Sequence, residues 1–172
     1  MDHIDGKIRA VPHWPKNGVM FSNKATKFLD DKKIDYKLIM HSKAVFTVEE
    51  AAKERGVIKH EMVKSIVVTD GKNVFLACVP GDKRLDLEKL RAYLKSGRLS
   101  LARAPDVMKF TGYEVGAVTP LLLKNPLRVV FDVDFKYKTN LSVSTGSHSA
   151  GVILSSKDLF DLVNPEFAMI SC

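Results

Sequence analysis

The sequence predicts an α+β (mixed α/β) fold: a single compact domain in which helices surround a mixed, largely antiparallel sheet. Three observations predict it. Helix-capping signals and β-rich runs interleave along the chain, as they do in mixed architectures. Two of the β-rich runs, residues 63–69 and 74–79, flank Asp70-Gly-Lys-Asn73, a turn that fixes at least one antiparallel pair. The 172 residues, 45% of them apolar, are enough for one sizeable core and too ordinary in balance for a disordered, collagen-like or disulfide-stapled chain.

Residues 1–20 hold Gly6, Pro12, Trp14, Pro15 and Gly18 without a helix or strand period. They read as an N-terminal extension, and the domain proper spans 21–172. Ser22 is placed to cap a helix whose Ala25, Phe28 and Leu29 share one face. A strand over residues 36–40 follows. Thr47-Val-Glu-Glu50 has the capping-box form, and Gly56 is placed to end that helix. Beyond the hairpin, Asp86 starts a helix with Leu87, Leu90 and Leu94 at helical spacing, closed by Gly97, and Pro105 suits the first turn of a short helix that ends at Gly112. Between residues 113 and 124 both periods vanish. Strands return at residues 127–133, 140–144 and 151–154, and a final helix starts near Ser156 with Leu159, Leu162 and Val163 inward.

Lys and Arg together number 27 against 20 acidic residues, a net charge of +7. The excess is uneven: +1 over residues 1–20, +7 over 21–110 and −1 over 111–172. A basic stretch of this size invites a polyanion such as RNA, and its plainer alternative is a solvated, lysine-rich surface. No apolar run approaches the roughly 20 residues of a membrane span, and the start of the chain has no apolar signal region. A soluble, cytoplasmic protein is expected, with neither membrane nor DNA as a partner. Cys78 falls in a predicted strand and reads as core; with Cys172 it makes neither a disulfide framework nor a metal site. There is no phosphate-cradling loop, dinucleotide fingerprint, nucleophile elbow or metal-spaced His/Cys pair, which argues against a nucleotide or zinc enzyme. No cofactor or metal is expected.

Three segments depart from what packing alone would choose. Strand alternation puts Lys64 on one face with Ile66 and Val68, so the ammonium either reaches solvent or stands as a fixed charge at a pocket mouth. Thr111-Gly-Tyr-Glu-Val-Gly-Ala-Val-Thr-Pro120 packs two glycines and a proline into ten residues. Such a loop is either a structural turn or one that brings main-chain N–H groups against a substrate oxyanion. Val143-Ser-Thr-Gly-Ser-His148 is a polar turn able to offer hydroxyls and amides. His148 and His41 lie near these segments, where a histidine is more often structural than catalytic.

In this order and at these intervals, the segments resemble the YbaK family of aminoacyl-tRNA editing domains. The residues that carry the resemblance are Thr47-Val-Glu-Glu-Ala-Ala52, Val63-Lys64-Ser65, Thr111-Gly112-Tyr113 with Val115-Gly116 and Thr119-Pro120, Val143-Ser144 with Gly146, and Lys157-Asp158-Leu159. The resemblance implies a compact mixed sheet with helices around it, and hydrolysis of the ester that joins a wrong amino acid to tRNA, with no metal and no protein nucleophile. It implies catalytic positions at Lys64 and Gly116, and substrate-binding positions at His41, Thr111, Gly112, Pro120, Ser144 and Gly146. Two departures stand out. Leu121-Leu-Leu123 follows Pro120 where relatives commonly have a glycine, an arrangement expected to narrow the pocket, and Thr145-Gly146-Ser147-His148 replaces a Gly-Gly turn followed by basic residues. The expected activity is that of a freestanding deacylase, with Cys-tRNA(Pro) the first substrate, Ala-tRNA(Pro) or another small aminoacyl-tRNA next, and a prolyl-tRNA synthetase as a possible partner. The alternative is a non-catalytic tRNA-binding or synthetase-associated module of the same fold.

Overall fold

The computed structural model describes residues 3–4, 7–8 and 21–172. Within the first twenty residues, where the sequence shows no strand period, β1 (His3–Ile4) and β2 (Lys7–Ile8) pair antiparallel. The rest of the expected extension lies outside the described residues.

Helix α1 (Lys24–Asp31) is capped by Asn23, one residue later than the sequence signal at Ser22. The Asn23 side chain accepts from the Ala25 and Thr26 amides while the Thr26 hydroxyl accepts from the Asn23 amide, a reciprocal box with threonine in the usual glutamate position. Asn23 also donates to the Thr145 carbonyl, which ties the helix to a distant turn. Strand β3 (Tyr36–Met40) has the expected bounds. In α2 (Val48–Arg55) the Thr47 hydroxyl accepts the Glu50 amide, and the Glu50 carboxylate reaches back to the Phe46 amide. The hairpin of β4 (Val63–Thr69) and β5 (Val74–Pro80) turns on Asp70, which accepts from the Lys72 and Asn73 amides. Asp86 caps α3 (Leu87–Leu94), but Lys95 in a left-handed conformation closes it, two residues before Gly97. Then follow β6 (Ser100–Leu101), α4 (Ala104–Thr111), β7 (Arg128–Asp132), β8 (Asn140–Ser144), β9 (Ala150–Ser155), α5 (Ser156–Val163) and β10 (Glu166–Ala168). At two and three residues, β6 and β10 are too short to show a period.

The strands form two main sheets where the sequence predicts one. The larger runs β10-β7-β5-β4-β6, with parallel pairing between β10 and β7 and between β7 and β5, and antiparallel pairing elsewhere. The smaller, β3-β9-β8, is wholly antiparallel. They meet where Met62, just before β4, bridges Ser142 of β8. The larger sheet is buried on both faces, which explains why β5 reads as one apolar run instead of an alternating one. Val63, Val67, Leu76 and Cys78 face the main core with Phe131, Leu141 and Val152. Val68, Phe75, Ala77 and Val79 face Leu90 and Leu94 of α3. The Cys78 thiol is fully buried beside the Ser65 hydroxyl, and burial pushes its pKa up to about 12, so it packs as a small apolar group without reactive character.

Candidate active site

A cavity of about 330 Å³ opens between the two sheets, and six consecutive residues, from Met62 to Val67, line it. A sheet face exposes only alternate residues, so a continuous run means that the cavity lies along the edge of β4. The register agrees. The Val67 carbonyl accepts from the Ala102 amide, on the side of β4 away from β5. Antiparallel pairing then turns the amides and carbonyls of Val63 and Ser65 outward as well, and Pro80, which has no N–H, sits opposite Val63 where none is needed. Strand β6 covers this edge only at Val68 and Thr69, leaving the Ser65 backbone along the cavity.

Lys64 is half-buried on this wall, and its ammonium donates to the Lys83 carbonyl. The carbonyl is held in turn: the Lys83 side chain pairs with Asp134, while His60 bonds Asp82 at 2.9 Å. Desolvation pulls the Lys64 pKa below the ordinary lysine value, with Glu49 opposing and Arg84 adding to the effect. A partly dehydrated cation with one neutral acceptor among the described residues is available to an anionic or electron-rich ligand.

Gly116 lies on the opposite wall with φ +87°, a conformation that L side chains rarely adopt. The turn closes through the Ala117 amide, which donates to the Glu114 carbonyl at 3.0 Å. The Val115 and Gly116 amides have no acceptor among the described residues. Ser144, also on the wall, is committed to shaping this loop: its hydroxyl donates to the Ala117 carbonyl at 2.9 Å and accepts from the Gly146 amide. His148 packs its ring 4.6 Å from that of Phe46, with Nδ1 donating to the Val45 carbonyl and Nε2 3.3 Å from a Glu114 carboxylate oxygen.

Below the wall lies a buried polar chain. His41 Nδ1 is 2.8 Å from the His148 carbonyl, so that nitrogen carries the proton and Nε2 accepts from Arg55 Nε at 3.1 Å. Arg55 also donates to the Ser142 hydroxyl at 3.2 Å. Desolvation is the main cause that holds His41 below the usual histidine value, opposed by its bond to the His148 carbonyl, and the Arg55 cation adds to the lowering. Protonation of His41 therefore favours the unfolded chain. Stability is fully present above the ordinary histidine pKa of about 6.5 and is lost as pH falls through it towards the depressed folded value. Denaturant midpoints are expected to drop between pH 8 and pH 5, and the drop is expected to shrink in His41→Asn.

Of the residues singled out in the sequence, Lys64, Gly116 and Ser144 meet around the cavity. His41 stands behind it. Thr111, Gly112, Pro120 and Gly146 are not on the wall. The Thr111 hydroxyl is buried and donates to the Val107 carbonyl, finishing α4, with Gly112 as its cap. Pro120 is buried. At Gly146, φ is +85° and a Cβ would stand 2.4 Å from the Tyr113 ring. Gly146→Ala is accordingly expected to cost at least about 2 kcal/mol in a urea titration, from strain and overpacking together. The expectation that Leu121-Leu-Leu123 narrows the pocket does not hold. Leu121 is buried in the main core with Leu123 packed against it, and the Tyr113 hydroxyl donates to the Leu121 carbonyl at 2.6 Å, turning the segment away from the cavity. Arg55 escaped notice as a wall residue although a signal existed: with Ala51 and Ala52 it occupies the buried face of α2.

Among the described residues no group of three His, Cys, Asp or Glu side chains is placed to hold a metal ion, and no helix is long and apolar enough to cross a membrane.

In architecture the chain is an α+β domain of the class seen in the crystal structure of the hypothetical protein APE2540. That structure superposes with a TM-score of 0.80 at 28% identity, over 87% of this chain and all of the other. The family model of the aminoacyl-tRNA editing domain matches residues 42–162, which include every residue of the cavity wall. The chain belongs to the aminoacyl-tRNA editing domain family. It is similar to the prolyl-tRNA editing protein ProX of Acetoanaerobium sticklandii, 32% identical over 141 residues that cover 78% of this chain and 85% of the relative. It is also similar to the proline–tRNA ligase of Thermosipho melanesiensis, 32% identical over 105 residues that are 61% of this chain but only 18% of the ligase.

Proposed function

We propose that the chain hydrolyses the ester between a wrong amino acid and tRNA(Pro), as a protein separate from the synthetase, with Cys-tRNA(Pro) the first substrate and Ala-tRNA(Pro) next. The observation that carries the reading is the meeting of Lys64 and the Gly116 loop around one cavity. Water attacks the ester carbonyl, the bond to the terminal ribose oxygen breaks, and that oxygen takes the proton, giving the free amino acid and an intact tRNA end. Negative charge gathers on the carbonyl oxygen in the transition state, where the Val115 and Gly116 amides stand as donors. Lys64 holds the tRNA terminus or the attacking group by charge. Such a division of labour asks little acid–base chemistry of the protein, and the tRNA's own ribose hydroxyl is available to orient the water. A place in the cytoplasm, with charged tRNA and a prolyl-tRNA synthetase as partners, belongs to the same reading.

The non-catalytic alternative rests on a pocket closed by Leu121-Leu-Leu123, but Leu121 sits in the core with Leu123 against it, Leu122 is exposed, and none of the three lines the cavity. The basic excess over residues 21–110 predicts that tRNA affinity falls with a negative slope in a plot of log K against log salt. Filter binding between 50 and 200 mM salt measures it. Deacylation of tRNA(Pro) charged with Cys, Ala and Pro, assayed alongside, separates the two readings: a steep salt slope with every ester intact would leave a binding module.

A further inference from the structure

The inner end of the cavity holds a cation for which ester hydrolysis has no use. Arg55, the last residue of α2, is on the wall yet only 8% exposed. Among the described residues its partners are the neutral His41 Nε2 and Ser142 hydroxyl, and no carboxylate pairs with it. Those bonds occupy Nε–H and one Nη1–H of five guanidinium donors, so the Nη2 pair has no protein acceptor among the described residues. The C-terminal end of α2 offsets part of the charge, and the open donors are left for water or a ligand in the cavity to meet. The fold nevertheless makes room for it: at Gly151 of β9 a Cβ would stand 2.1 Å from Arg55 Nε and 2.3 Å from Cζ.

We propose that Arg55 is an inner subsite that reads the aminoacyl side chain, donating to a hydroxyl oxygen or a sulfur on its β-carbon; this deepens the ester-hydrolysis reading and rests on it. Exposure grades the wall from Phe46, at 67%, and Val115, at 58%, through half-buried Lys64 to Arg55. The charged tRNA end keeps to the wet mouth, and the part of the ligand that extends inward past the carbonyl is the amino-acid side chain. Serine or cysteine gives the guanidinium an acceptor there. An alanine methyl displaces water and leaves the donors unpaired, which is the strongest kind of discrimination a pocket of this size has against a substrate lacking one group.

The test is initial deacylation rates of tRNA(Pro) charged with Ser, Cys and Ala, using the full chain and its Arg55→Leu, Arg55→Lys and Gly151→Ala variants, with thermal unfolding run on each. The wild type is expected to favour Ser and Cys esters over Ala by roughly 10- to 100-fold. Arg55→Leu is expected to bring the three within about threefold by slowing Ser and Cys much more than Ala. Arg55→Lys keeps the charge without the fork and is expected to retain part of the preference. Gly151→Ala leaves the arginine in the sequence but displaces its head, and is expected to lose selectivity as Arg55→Leu does. Unchanged ratios in folded variants, or equal slowing of all three esters, overturn the subsite and leave the deacylase reading standing. If the wild type hydrolyses no ester at all, both fall together.

Discussion

Lys64→Met is expected to lower kcat/KM for ester hydrolysis by about 10²- to 10³-fold, the range found when one preorganised electrostatic contact to a transition state is removed. Methionine keeps the length and the apolar stem that packs along the edge of β4, so the fold should survive. The stability change is expected to be small, because burial already disfavours the Lys64 charge and its one bond among the described residues is to a carbonyl. Single-turnover deacylation separates binding from chemistry. A fall in the rate constant at saturating protein places the ammonium at the reacting centre, whereas weaker binding alone places it on the tRNA terminus. A variant that matches wild type in both would remove Lys64 from the mechanism.

Gly116→Val is expected to abolish deacylation, and Gly116→Ala to weaken it. A Cβ at this position would lie 3.5 Å from His148 Cε1 and 3.8 Å from the Phe46 carbonyl, ordinary contacts, so the alanine meets no clash. Its cost is the left-handed backbone, about 1–2 kcal/mol. Valine adds two methyl groups beside the amides proposed to receive the oxyanion, and β-branching suits this conformation worst. Thermal unfolding should show both variants folded, with deacylation separating them; equal rates for valine and wild type would move the oxyanion away from this loop.

Much of the fold was legible because its signals are local. Thr47 and Gly56 bound α2, Asp70 turns the hairpin, and β3 and β8 have the predicted ends, since each rests on a cap, a turn or a period of five residues or more. What failed locally failed for reasons that lie elsewhere in the chain. Asn23 outcompetes Ser22 as a cap because it also reaches the Thr145 carbonyl, 122 residues away. Leu121-Leu-Leu123 adjoins Pro120 in sequence but not the cavity in space, because the Tyr113 hydroxyl holds the Leu121 carbonyl on the core side.

The sequence by itself determined the longer elements, the family resemblance, and the presence of a lysine and a glycine loop suited to an ester. Periodicity and spacing say which residues share a face of one element, and that was enough to group Lys64 with Ile66 and to bury Cys78. Only the tertiary structure decided which faces meet. The cavity runs along an uncovered strand edge between two sheets, a place set by where β6 stops pairing and where Met62 bridges Ser142. It gathers Arg55 and Lys64, close in sequence, with Gly116 and Ser144 from much further along the chain. It also turns Gly146, which sits in the same short turn as Ser144, away to pack on Tyr113. Neighbours in sequence diverge and strangers converge because sheet pairing fixes distances between strands that no spacing along the chain encodes.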